Sequence, residues 1–146
     1  MAQLVYDVMT PGATTVEPGA SLVEVARLMR DQDLGGVLVA EGDRLLGVVT
    51  DRDIAMRVVA DAGDPRIIDV GSICTPDPVC VGPDEEASAA VALMRRHAVR
   101  RLPVVQDGRP VGMVSLGDLA ANRDPNSVLA DISRAAPCPR RGPSAT

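Results

Sequence analysis

The sequence contains no lysine, no tryptophan and no phenylalanine, and Tyr6 is its only aromatic residue. Without lysine there is no Schiff-base amine and no P-loop lysine to reach a nucleotide's outer phosphates. A single aromatic ring makes no stacking platform for single-stranded nucleic acid. A net charge of −5 argues against the broad basic face that a duplex requires. No apolar run approaches membrane-spanning length. The start, Met1-Ala2-Gln3-Leu4-Val5-Tyr6-Asp7, lacks the basic and apolar blocks of a signal peptide. A cytoplasmic protein with no membrane and no nucleic-acid partner is expected.

Chemistry that depends on cysteine or histidine is equally short of material. Cys74, Cys80 and Cys138 are odd in number and have no CxxC spacing. Reduced thiols packed as small apolar groups fit them best. A zinc site from Cys74, Cys80 and the single His97 has the wrong spacing and lacks a fourth ligand; no metal is assigned. One histidine, with no motif-supported Ser–His or Cys–His pair, leaves no activated nucleophile. No catalytic residue is assigned, and no enzyme is expected.

What is present is aliphatic. Hydrophobic residues make up 46% of the 146 positions, enough for one compact domain or two small halves sharing a core. The chain is organised around Gly47-Val48-Val49-Thr50-Asp51-Arg52-Asp53-Ile54. This stretch returns as Gly112-Met113-Val114-Ser115-Leu116-Gly117-Asp118-Leu119, shifted by 65 positions (112 − 47 = 65). The shift holds without a gap from Met9–Ile54 to Cys74–Leu119, carrying Thr10-Pro11 onto Thr75-Pro76 and Leu28-Met29-Arg30 onto Leu93-Met94-Arg95. A sustained internal period marks a duplicated unit. We divide the chain into repeat 1 (1–62), repeat 2 (63–123, with a linker at 63–73) and a tail (124–146).

Each unit reads alike. Residues 3–9 form a short helix that Pro11 stops, and 14–16 are extended. Ser21 caps a helix with Glu24 in capping-box position, and Leu22, Val25, Ala26 and Met29 share its apolar face. Gly35-Gly36 breaks that helix and serves a turn. Residues 37–39 and 45–50 are strands joined through Glu41-Gly42-Asp43, a hairpin, and 51–60 close the unit as a helix. In the second unit 79–81 are extended, Asp84 caps a helix through His97, 102–105 and 111–115 are strands, and 116–121 are helical. The tail has an amphipathic turn or two around Val128, Leu129 and Ile132, and from Ala136 its composition reads as disorder. One unit is too small to cover its own sheet; two can bury their sheets against each other, leaving two equivalent clefts.

In both copies a hydroxyl and a carboxylate three positions apart sit at a strand-to-helix turn. The N–H groups and dipole of a helix N-terminus suit a phosphate, and the carboxylate can accept from ribose hydroxyls. The same spacing suits a plain helix cap. Both readings stand on the residues alone.

The β-α-β-β-α order, the duplicated Gly-apolar-apolar-Thr/Ser-x-x-Asp signature and Arg101-Leu102-Pro103-Val104-Val105 before the second copy resemble a tandem pair of CBS domains, a family named from cystathionine β-synthase. The resemblance covers roughly residues 3–122 and is nearest to small stand-alone bacterial pairs of the hypoxic-response type. It implies an α/β (α+β) fold of two repeats packed sheet to sheet with pseudo-twofold symmetry, and a homodimer. It also implies a regulatory module that binds AMP, ADP, ATP or S-adenosylmethionine between the repeats and signals to a partner protein. A ligand-free structural protein with decayed clefts is the alternative. By resemblance one cleft uses Ser115 for phosphate, Asp118 for ribose, Arg100 and Arg101 near phosphate, and Met113, Thr14, Leu34 and Gly35 around the base. The other uses Thr50 and Asp53 with Val48, Val79, Val99 and Arg100. Arg100-Arg101 stand where the first unit has Gly35-Gly36. Two guanidinium groups beside the second signature suit bidentate phosphate contacts, so the Asp118 cleft is favoured if only one is filled.

Overall fold

The computed structural model describes residues 3–135. The disorder expected from Ala136, and Cys138, lie outside them. The first unit runs through α1 (Val5–Val8), β1 (Thr10–Pro11), β2 (Thr15–Val16), α2 (Leu22–Gln32), β3 (Gly36–Glu41), β4 (Arg44–Thr50) and α3 (Asp51–Ile54), which continues as a π-helical stretch over Ala55–Val59. The second unit follows as α4 (Val70–Ile73), β5 (Thr75–Pro76), α5 (Ala87–His97), β6 (Arg101–Gln106), β7 (Arg109–Ser115) and α6 (Leu116–Arg123). A last helix, α7 (Val128–Arg134), packs on α6.

The repeat seen in the sequence is exact in the hydrogen-bond register. In β3–β4, Gly36 faces Thr50, Val37 faces Val49 and Val39 faces Gly47. In β6–β7 the same places are held by Arg101 and Ser115, Leu102 and Val114, Val104 and Gly112. Even the irregularity recurs, between Val39 and Ala40 and again between Val104 and Val105. β3 and β6 are buried as near-continuous apolar runs, Val37-Leu38-Val39-Ala40 and Leu102-Pro103-Val104, as strands covered on both faces are.

The two halves exchange strands. β1 of the first unit pairs antiparallel with β7 of the second, Thr10 opposite Met113. β5 of the second unit pairs with β4 of the first, Thr75 opposite Val48. The short helices cross with them. Val5 is fully buried in a core with Val81, Met94, Leu102, Val104 and Val114, whereas Val70 is buried with Leu22, Val25, Val37, Val49 and Val58. Backbone bonds hold each crossing: Val5 N–H donates to Glu85 O and Val70 N–H to Ala20 O, both at 2.8 Å. The stretch 63–73, expected as a linker, therefore carries α4 and helps close the first core with Ile68, Val70 and Ile73. Val70→Ala should cost about 2 kcal/mol for the lost methyl groups and the cavity left behind. Chemical denaturation of the variant measures it; a linker residue would cost nearly nothing.

Several local expectations need correcting. α2 ends at Gln32, where Asp33 takes a left-handed conformation (φ 55°) and its N–H closes on Met29 O; Gly35-Gly36 does not stop the helix. Ser21 Oγ accepts from Glu24 N–H, but half a box is all that forms. Ala26 is exposed, and Leu22, Val25 and Met29 carry the buried stripe. α5 begins after Glu86 rather than at Asp84. In α7 it is Ala130 that is buried, while Val128 and Ile132 are exposed.

Candidate functional site

A cavity of about 210 Å³ opens between the halves at the end of β7. Its floor is the second signature: Met113 and Ser115 from β7 and Asp118 from α6. Its far wall is first-unit chain, Thr14 before β2, Asp33, Leu34 and Gly35 between α2 and β3, and Gly36 at the start of β3. Arg101, the first residue of β6, reaches across, and the exchanged strand and the residues after it contribute Thr10, Gly12 and Ala13. Seven of the eight residues expected around Asp118 thus lie together. Arg100 is not among the lining residues; it is exposed, and its carbonyl accepts Leu116 N–H at 2.8 Å.

Ser115 and Asp118 also cap their helix. Asp118 N–H donates to Ser115 Oγ at 3.1 Å, and Ser115 N–H donates to Asp118 Oδ2 at 2.9 Å. Thr50 and Asp53 form the same reciprocal box at the same distances. The cap and the site are therefore one arrangement, since a capping box holds each side chain in a fixed rotamer. It also revises the expectation of free helix N–H groups. Leu116 N–H is taken by Arg100 O and Asp118 N–H by Ser115 Oγ, which leaves Gly117 in the first turn. What remains available is the hydroxyl hydrogen of Ser115 and Asp118 Oδ1, which has no partner among the described residues.

Arg101 lies beside the glycine pair of the first unit. Neither Gly35 nor Gly36 has a positive φ. A Cβ built on Gly35 would lie 2.5 Å from Arg101 Nη2, and one on Gly36 would lie 3.7 Å from Arg101 Cδ. At 35 a side chain would press on the flexible end of Arg101. The guanidinium has no hydrogen-bond or ion-pair partner among the described residues, so it is available to an anion.

Around the first signature Val48 holds the place that Met113 holds in the second copy, and the carboxylate there has a cation beside it. Asp53 faces Arg57, Nη2 to Oδ1 at 3.7 Å. Val48 lies in β4 opposite Thr75, and Val79 and Val99 pack against the second core. Val99 also lines a wider groove of about 350 Å³ between α5 and α6, with Met94, Leu116 and Leu119. That groove is larger than the Asp118 cavity but holds neither Ser115 nor Asp118, so its size does not make it the better candidate. Burial pushes the thiols of Cys74 and Cys80 up from their ordinary pKa; at Cys74 nearby Arg57 pulls the other way and Asp53 adds to the rise. The direction favours the thiol over the thiolate.

The model of the CBS domain matches the chain twice, over residues 5–60 and 70–124. The chain belongs to the CBS-domain family. Among its relatives, the CBS domain-containing protein YhcV of Bacillus subtilis is 38% identical over 133 residues, 88% of this chain and 94% of that protein. The crystal structure of hypoxic response protein I with two coordinated zinc ions is 32% identical, with a TM-score of 0.75 over 81% of this chain and 97% of that one. The CBS pair of protein MJ0100, solved with 5′-methylthioadenosine and S-adenosylmethionine, shares the fold at 22% identity, with a TM-score of 0.77 over 87% of this chain and all of that one. The zinc belongs to the second of these. Among the described residues here, no three His, Cys, Asp or Glu side chains gather where they could hold a metal ion. No helix of the described residues is long and apolar enough to cross a membrane.

Proposed function

We propose that this CBS pair is a stand-alone, non-catalytic regulatory module. It holds an adenine nucleotide or adenosyl compound in the cavity at Ser115 and Asp118 and signals to a partner protein through a change of shape or of dimer contact. The observation that carries this is the convergence of Asp118 Oδ1, the Ser115 hydroxyl and the Arg101 guanidinium on one hollow walled by the other repeat. In this reading the carboxylate accepts from ribose hydroxyls, Arg101 and Ser115 take a phosphate, and Met113 and Leu34 offer apolar contact to the base. The fold shared with MJ0100 is one that holds adenosyl ligands.

We place the protein in the cytoplasm as a homodimer. The helices after the two signatures carry exposed apolar side chains, Met56 and Val59 on one and Leu116 on the other, which suit a contact with a second copy. The rival reading, a ligand-free interaction protein, draws on the reciprocal caps, which give both hydroxyl–carboxylate pairs a purely structural task. Calorimetric titration with ATP, ADP, AMP and S-adenosylmethionine decides between them: heat of binding with one or more supports the module, and silence with all four at millimolar concentration supports the rival.

Gly35→Ala gives a finer test. The obstacle to the new methyl group is the mobile end of Arg101, so stability should change by less than about 0.5 kcal/mol. The guanidinium must move off the cavity wall, and AMP affinity should fall about tenfold. A thermal melt and an AMP titration of the same variant check both halves.

A further inference from the structure

We propose that Arg57 shuts the first-signature cleft, so that each chain holds one adenosyl ligand, at Asp118, rather than two. This rests on reading Asp118 as the ribose acceptor. The two signatures are the same device to within a tenth of an ångström: the box distances are 2.9 and 3.1 Å in both. Among the places where the copies differ, the one four residues after the aspartate has Arg57 in the first and Asn122 in the second.

That substitution acts on the one oxygen the box leaves over. Arg57 Nη2 lies 3.7 Å from Asp53 Oδ1, while its Nη1 donates to Ile73 O at 2.6 Å. Ile73 ends α4, the short helix that crosses from the second unit, so the guanidinium is pinned between the two halves. A ribose that sought Asp53 would have to displace a cation from the carboxylate and break the bond to Ile73 O. In the second copy the matching carbonyl is that of Val8, at the end of α1, and the side chain at the matching position is the shorter, neutral Asn122. Asp118 Oδ1 therefore has no partner among the described residues, whereas Asp53 Oδ1 faces a cation.

The test uses the full chain and calorimetric stoichiometry, with AMP and S-adenosylmethionine as separate probes. The wild type should bind one equivalent. Arg57→Asn, which copies the second signature, should bind two, the new site within about tenfold of the first. The converse change, Asn122→Arg at an exposed position, should weaken the single wild-type site at least about tenfold by supplying the missing i,i+4 cation. Two equivalents on the wild type would overturn the proposal, as would one equivalent on a folded Arg57→Asn. If Arg57→Asn does not fold, unchanged affinity in Asn122→Arg overturns it alone. Silence of the wild type and both variants toward both probes sinks the adenosyl reading itself, and this inference with it.

Discussion

Asp118→Asn should lower affinity for an adenosyl ligand about 10- to 100-fold while leaving the melting temperature almost where it was. The asparagine amide oxygen can still accept Ser115 N–H, so the box that starts α6 survives in substance. What disappears is the negative charge behind Oδ1, and hydrogen bonds to charged groups carry about 1.5–3 kcal/mol. Asp118→Ala should do both kinds of damage, adding a loss of about 0.5–2 kcal/mol of stability for the missing cap. Titration and a thermal melt on the two variants separate the roles. If Asp118→Asn binds as the wild type does, the carboxylate is only a cap.

Gly112→Ala should be the most damaging small substitution in the second sheet. A Cβ there would stand 2.7 Å from Thr10 O and 2.8 Å from Met9 Sδ. The thioether can swing aside, but the carbonyl is backbone of the exchanged strand β1. Moving it breaks the pairing of Pro11 with Gly112 and shifts the Thr10–Thr14 wall of the cavity. Overpacking of this kind costs about 1–3 kcal/mol, and ligand affinity should fall with it. Gly47→Ala repeats the clash against Thr75 O at 2.6 Å and Cys74 Sγ at 2.7 Å, with a similar loss of stability. Denaturant melts of both variants, and of Gly19→Ala, which meets nothing within 4 Å, measure the contrast.

The repeat was legible because the 65-residue match runs without a gap through the core: Val37, Val39, Val49 and their counterparts Leu102, Val104, Val114 are buried in both sheets. The residues around Asp118 came from the resemblance to CBS pairs, which set Thr14, Leu34 and Gly35 beside Met113, Ser115 and Asp118; all six line one cavity. The exchange of β1 and β5 was not. Thr10-Pro11 and Thr75-Pro76 announce an extended pair, but a two-residue strand carries no signal of whose sheet it joins. Thr10, Gly12 and Ala13 therefore escaped as lining residues. Asp33 escaped because a left-handed aspartate leaves little mark in composition. That Gly35 borders an arginine 66 positions away (101 − 35 = 66) left no local sign in the sequence. Arg57 needed a comparison of the copies beyond the signature itself, at the place where one has a cation and the other does not.

The crossing of β1 and β5 has a further consequence. A fragment ending near residue 62 would keep α2, β3 and β4 but lose Val70 and the strand that borders Gly47. It would carry, unused, a lead segment shaped for a neighbour's sheet. The natural remedy is a twin: two such fragments trading arms, a domain-swapped pair. In the intact chain one polypeptide makes both halves of that handshake.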